Sequence, residues 1–404
     1  MDTVKHLCIA STITRVLLIS IWFISDMLIL DHFPGVDVLK LKNFQENFFQ
    51  SFTKWDSAHI LMISLSGYRQ ESLFAFFPLY PYLVMILAEI SLFVFDSWIS
   101  VETTHAIIAL ILSNICFTIS TAILFYLVRK MCTSNFEVAV AVAMFICNPA
   151  NVFFVGIYTE SIFSTFSWSG MYLMEKRMPL KAGIMFIFAS LLRSNGLLNL
   201  VFVVAFQFSN RYIQKNKQMG FLSFIYLCLC TSIPYLVWNK YIQQMLCSNP
   251  VFFESHRHEL CEQLFPNMYA MIQEKYWNVG FLKYFQIRQI PNFLLATPII
   301  IIALSAIISF IYKLIPMLKE GRVNSSLSRM LPYICHLVVV LGIGIFFAHV
   351  QIITRLICSS CPIIYIEMGR LLVKSQSFKF YMFLYLFLYN FAGFVLHPNF
   401  YPWT

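Results

Sequence analysis

The chain has 404 residues, of which 59% are hydrophobic and only 12% charged, and its mean hydropathy is +0.73. Soluble domains carry about 25% charged residues, so the composition excludes an ordinary soluble protein and reads as an all-α polytopic membrane protein. The net charge of +9 then belongs to short cytosolic loops that set orientation, not to a nucleic-acid surface.

A hydrocarbon core of roughly 30 Å takes about 20 apolar residues per helix, which allows about nine to eleven spans. Residues 1–30 give the first, amino terminus in the cytosol. Lys5 and Arg15 precede its long apolar run, and no small-x-small cleavage site follows, so it reads as a retained signal anchor. No endoplasmic-reticulum retrieval tetrapeptide ends the sequence. Residues 31–74 form a first polar loop. In it Phe44, Phe48, Phe49 and Phe52 recur at helical spacing, which predicts an amphipathic surface helix over 43–52. Trp55-Asp56 follows, then Phe76-Phe77-Pro78-Leu79-Tyr80-Pro81, whose prolines mark a rigid entry to the apolar run 74–95.

Further apolar runs lie near 105–128, 138–157, 160–173, 180–208, 219–240, 293–315, 331–349, 352–369 and 379–396. Run 180–208 is interrupted at Arg193-Ser194-Asn195-Gly196, so it is either one tilted span or two half-helices meeting at a polar break. Loops 209–219, 313–330 and 370–379 are each net basic, which puts them in the cytosol and the long loop 241–292 in the lumen. The front half conflicts with this pattern. If 75–95 and 105–128 both cross, Arg129 and Lys130 become lumenal; either 75–95 dips without crossing or the charge rule fails there. The sequon Asn324-Ser325-Ser326 falls in a cytosolic loop and is expected to be unused. Of eleven cysteines, Cys247 and Cys261 share the long polar loop and can pair if it is lumenal, whereas Cys358 and Cys361 read as packing residues.

Asp56 is the candidate catalytic base. A hydroxyl attacking a sugar's anomeric carbon must lose its proton, and a positioned carboxylate accepts it. A lipid phosphate leaving group needs no acid, only cationic or hydrogen-bonding groups around it. The plainer alternative for Asp56 is a helix cap. His59, one turn on, either orients Asp56, binds a phosphate or is a surface hydrogen-bonding group. Arg193 and Arg355 stand in apolar stretches, where a charge is costly, and are the candidate phosphate clamps, snorkelling being their alternative. Glu160 either pairs with an arginine or caps a helix, and Asn195 adjoins the Arg193 break. Trp277, Asn278 and Lys283, in a run of aromatics over 276–285, suit a sugar face and a phosphate, but an interfacial belt helix docking the loop on the membrane is the preferred reading of that run. No metal-binding or cofactor motif is expected, and without a paired DxD for a metal-bound nucleotide sugar the donor is expected to be lipid-phosphate-linked.

Lys54-Trp55-Asp56-Ser57-Ala58-His59-Ile60 with FFPLYP, then NPANVF with YTES, LLRSNGLL, YWNVGFLKYFQIRQIPNFLLATP, HVQIITR and the terminal LHPNFYPWT resemble, in order, the signature of the GPI mannosyltransferase 2 (PIG-V) family. The resemblance runs from about residue 51 to the last residue. It implies one GT-C membrane domain over 1–404 in the endoplasmic reticulum, with the active site lumenal. It also implies inverting transfer of the second mannose, in α-1,6 linkage, from dolichyl phosphate mannose onto the GPI precursor. Asp56 then corresponds to the acid after the first helix that GT-C enzymes use. A small membrane partner subunit is left open. The competing readings are a sister GT-C enzyme with another acceptor and a lipid transporter or scramblase, which would place its polar residues at midplane instead of at one face.

Overall fold

The computed structural model describes residues 2–32, 47–95, 99–210, 219–248, 258–319 and 325–403, and every regular element among them is helical. Part of the predicted surface helix over 43–52 and the sequon residue Asn324 lie outside the described residues, as do Arg211, Lys215, Lys217 and Arg322.

Helix α1 (Asp2–Leu28) starts earlier than its apolar run. Arg15 does not flank the span as expected but sits inside it, 2% exposed. Its guanidinium donates to the Ile146 carbonyl (3.2 Å) and to Asn151 Oδ1 (2.7 Å) and lies 3.7 Å over the Phe117 ring. These groups replace water around the charge, which is what lets an arginine stay at that depth.

Helix α2 (Asn47–Gln50) is a single turn, continued by a 3-10 turn over Ser51–Thr53. Helices α3 (Asp56–Ser66), α4 (Leu79–Phe95) and α5 (Val101–Val128) follow. Helix α5 runs antiparallel to α1, since Ser11 pairs with Thr121 and Thr12 with Thr118. The start of α3 lies at the carboxyl end of α1, where Lys54 meets Asp26. The chain therefore leaves α1 and enters α5 on one side, and segment 75–95 makes no net crossing. Arg129 and Lys130 end on the side of the amino terminus, which removes the conflict in the charge pattern.

Ser134 and Glu137 cap helix α6 (Asn135–Ile146) reciprocally. Asn148-Pro149 then breaks the apolar run, leaving α7 (Asn151–Val155) as a separate turn. Helix α8 (Glu160–Glu175) lies beside α5 in the same direction, with Ser120 bonded to the Ser161 carbonyl and Lys130 3.7 Å from Glu175. Helix α9 (Pro179–Leu192) returns; Arg193 is extended, a 3-10 turn spans Ser194–Leu198, and α10 (Asn199–Phe208) leads away again. Run 180–208 is thus two helices meeting at the polar break. Gly196 permits this, because a Cβ there would stand 2.5 Å from Ser190 Cα and 2.6 Å from the Ala189 oxygen.

Helix α11 (Phe221–Ser248) runs back toward the break, α12 (His258–Glu262) follows, and α13 (Met268–Trp277) meets the break, with Tyr269 Oη 3.0 Å from Ser194 Oγ. Cys247 and Cys261 form a disulfide that ties α11 to α12. Closing a loop of this length stabilises by about 3 kcal/mol through the unfolded chain. Replacing both with Ser should lower the melting midpoint in detergent and leave turnover nearly unchanged, because the pair lies outside the charged site described below; a thermal melt with a parallel activity assay checks this.

Helices α14 (Ile290–Lys319) and α15 (Ser325–Phe346) form a hairpin. Ser209 at the end of α10 donates to the Ser328 carbonyl, so those two ends share a side. Helix α16 (Ile353–Ser360) meets α17 (Ile363–Lys374) at a 97° bend at Cys361-Pro362, where proline cannot continue the helix. Helix α18 (Gln376–Leu396) brings the tail back to the carboxyl end of α1.

Among the described residues six helices are long and apolar enough to cross a membrane, or seven if the bent α16–α17 pair counts as one span. That is fewer than hydropathy suggests. Runs 138–157, 180–208 and 352–369 each contain a polar or proline break, and averaging over residues hides such breaks.

Candidate active site

The carboxyl ends of α1 and α9, the amino ends of α3, α8 and α16, and the tail after α18 converge. Four ionic side chains meet there. Arg355 donates to Asp56 Oδ2 at 2.9 Å and stands 3.7 Å from Glu160 Oε1. Arg193 pairs with the same oxygen of Glu160 and donates to Thr159 Oγ1 (3.1 Å). The order is therefore carboxylate, guanidinium, carboxylate, guanidinium, and the charges cancel. Glu160 is wholly buried and serves as counter-ion to both arginines, while the Asp56 side chain keeps 35% of its surface exposed. Of the two acids only Asp56 can reach a reactant.

Asp56 is the first residue of α3, so its charge also faces the positive end of the helix dipole. The residue before it, Trp55, has φ +59° and ψ −136°, a conformation costing about 1–3 kcal/mol that persists only where surrounding contacts enforce it. Burial pushes the Asp56 carboxyl up, but the adjacent Arg355, aided by its hydrogen bond and by His59 and Arg193, holds it below the usual carboxylate range. Burial holds the His59 ring below the usual imidazole range against the pull of Asp56. Its Nδ1 is buried and bonded to no other described residue.

An aromatic wall flanks the acid. His59 stacks on Phe76 (5.0 Å between centroids), and Trp277, at the end of α13, meets both edge-on at 6.5 and 6.2 Å. Arg355 lies 4.9 Å over Phe153 and 5.9 Å over Tyr158. Tyr158 Oη bonds His397 Nε2 at 2.8 Å.

Asp56, His59, Glu160, Arg193 and Arg355 thus come together, with Trp277 against His59. Asn195 is buried and donates to Ser360 Oγ (2.9 Å), linking the turn after Arg193 to the end of α16. Asn278 is exposed in the left-handed region at the end of α13, and Lys283 pairs with Glu274 instead of with the charged cluster. The segment carrying them is nevertheless tied to the strip ahead of Arg355. Tyr284 stacks on His349 at 4.5 Å and donates to Gln351 Oε1 at 2.9 Å. Sequence reasoning passed over Phe153, Tyr158 and His397 as site residues; the motif segments NPANVF, YTES and LHPNFYPWT already contained them. Among the described residues no group of three or more His, Cys, Asp or Glu is placed to hold a metal ion.

The family model for mannosyltransferases described as PIG-V matches residues 35–404. The chain belongs to this family. It is similar to the GPI alpha-1,6-mannosyltransferase 2 of Homo sapiens, 28% identical over 359 residues, covering 79% of this chain and 73% of that protein. The Cricetulus griseus protein of the same name is 27% identical over 361 residues, covering 79% and 73%. The GPI mannosyltransferase 2 of Schizosaccharomyces pombe is 28% identical over 351 residues, covering 83% and 69%. Among solved structures, the archaeal oligosaccharyltransferase AglB from Archaeoglobus fulgidus, in complex with an inhibitory peptide and a dolichol-phosphate, aligns with a TM-score of 0.51 at 10% identity. That alignment covers 96% of this chain and 55% of AglB, so this chain spans about half the length of that enzyme. The likeness shows the GT-C fold. The family's chain is thus a multi-pass membrane protein, a glycosyltransferase of mannosyltransferase type.

Proposed function

We propose that this chain transfers the second mannose, in α-1,6 linkage, from dolichyl phosphate mannose to the GPI precursor on the lumenal side of the endoplasmic reticulum membrane. The observation that carries the mechanism is the half-open carboxylate of Asp56 held by Arg355 beside the wholly buried Glu160. The acceptor's primary hydroxyl oxygen attacks the anomeric carbon as the bond from that carbon to the phosphate oxygen breaks, inverting the configuration. The hydroxyl proton passes to Asp56, and the bonding pair leaves on the phosphate, which gains one negative charge. Arg355, which donates to the acid, and Arg193, which shares Glu160 with it, attract that charge. A phosphate sharing their donors also weakens the hold of Arg355 on Asp56, which raises the basicity of the carboxylate when the donor is bound. No cofactor enters this scheme. His59, Phe76 and Trp277 offer stacking faces for a sugar.

Two features support lumenal placement: a disulfide, which fits an oxidising compartment, and the positioning of the site at the helix ends opposite Lys130 and Lys374. The test is chemical. Cells lacking this transfer step accumulate a one-mannose GPI intermediate; introducing the chain should convert it to forms with two or more mannoses. Persistence of the one-mannose lipid, with the chain expressed in the membrane, would overturn the acceptor assignment.

A further inference from the structure

Lys54 is 4% exposed and cannot touch a substrate. An ammonium group has three N–H donors, and here all three have partners: Asp26 Oδ1 at 2.7 Å, Asp31 Oδ1 at 2.7 Å and the Pro398 carbonyl at 2.6 Å. The first two belong to the end of α1 and the residues just after it; the third belongs to the chain's tail. The next side chain makes a parallel contact, with Trp55 Nε1 donating to the His397 carbonyl at 3.0 Å. Lys54 Nζ and the Trp55 ring also both face Phe400, at 5.0 and 5.8 Å.

Two consecutive side chains are therefore fastened to two consecutive carbonyls of the tail, and the backbone between them carries the positive φ of Trp55. The tail is itself fixed. Asn399 donates to Ser25 Oγ (3.1 Å), the His32 amide donates to the Asn399 carbonyl (2.9 Å), and His397 bonds Tyr158. Asp56 follows directly as the first residue of α3.

We propose that Lys54 is a positioning residue: by clamping the end of α1 and the tail to its own segment it holds Trp55 at its positive φ and so aims Asp56 at the reactants. It acts only through its neighbours, and the proposal rests on the reading of Asp56 as the base. Loss of the clamp lets the Trp55 peptide relax to an ordinary conformation. The carboxylate then points elsewhere while the surfaces that bind the lipid donor are untouched. Turnover should fall and donor affinity should not, a split that general unfolding does not produce.

The test uses the full chain, purified in detergent, with dolichyl phosphate mannose as donor. Lys54→Met alone leaves Asp26 and Asp31 facing each other, so the double variant Lys54→Met with Asp26→Asn is measured beside it; the more exposed Asp31 can then be solvated. The folded double variant should lose about a hundredfold in kcat, the scale of a small misplacement of a reacting group, with KM for the donor within about threefold of the starting protein. Lys54→Arg, which keeps the charge and the donors, should recover most of the loss. A folded double variant with near-normal kcat overturns the proposal, as does a loss that merely follows the amount of folded protein, or failure of every Lys54 variant to fold. Asp56→Asn run in parallel separates the two ideas. If it stays active, the base assignment fails and the positioning role fails with it; if it is inactive while the folded Lys54 double variant keeps near-normal kcat, only the positioning role fails.

Discussion

Asp56→Asn should leave a folded, membrane-inserted chain that fails to restore GPI-anchored proteins to the surface of cells lacking the transfer step. The substitution keeps the shape of the side chain and its contact to Arg355 but removes the basic oxygen. A general base contributes about 10²–10⁴-fold, and near the top of that range flow through an essential step falls below what the cell surface needs. The folded state should survive because the side chain is partly solvated and the counter-ion of Arg355, Glu160, stays in place. Surface staining alongside an immunoblot of the membrane fraction separates loss of chemistry from loss of protein. The pH profile carries the same signature. With Arg355 holding Asp56 ionised below its ordinary range, the acid limb of kcat/KM should lie below the usual carboxylate pKa of about 3.9. Stability depends on pH through the same pair. The pairing contributes fully above the unfolded pKa, and its contribution is lost as pH falls through the depressed folded value.

Glu160→Ala should behave differently, losing both activity and stability. The carboxylate is fully buried, and both arginines of the site depend on it. Removing one partner of a buried ionic cluster costs about 3–5 kcal/mol, chiefly because the remaining charge is left unpaired. Here two guanidinium groups would face each other, with Asp56 the only acid left to share between them. Asp56 would then be held more tightly and become a poorer base. Melting midpoints of Asp56→Asn and Glu160→Ala, measured together in one detergent, check the contrast: little change for the first and a large fall for the second. A large fall for Asp56→Asn and none for Glu160→Ala would mean that the two acids have been given each other's roles.

Much of this site was legible in the sequence because charge is so costly in an apolar chain. Asp56, Glu160, Arg193 and Arg355 stand out from their surroundings, and the Arg193-Ser194-Asn195-Gly196 break could be read from its polarity alone. Their pairing could not. Asp56 and Arg355 lie 299 positions apart, and no periodicity connects them. The same limit hid the use of Arg15, whose partners Ile146 and Asn151 come from another helix and turn. The direction of 75–95 was undecidable from loop charges, because it depends on α5 packing antiparallel to α1. The role of Lys54 was hidden in the same way, since its three acceptors, on Asp26, Asp31 and Pro398, lie 28, 23 and 344 positions away. Nothing in the run 276–285 told its members apart: Trp277 meets His59 and Phe76, whereas Lys283, equally plausible by composition, spends its charge on Glu274.

The most direct measurement is a single-turnover assay with purified chain, dolichyl phosphate mannose in excess and a synthetic one-mannose GPI acceptor, comparing the native sequence with Asp56→Asn. Transfer should slow by about a thousandfold in the variant, with donor binding by filtration unchanged. A variant that transfers mannose within a few-fold of the native rate would contradict the claim that Asp56 receives the acceptor's proton.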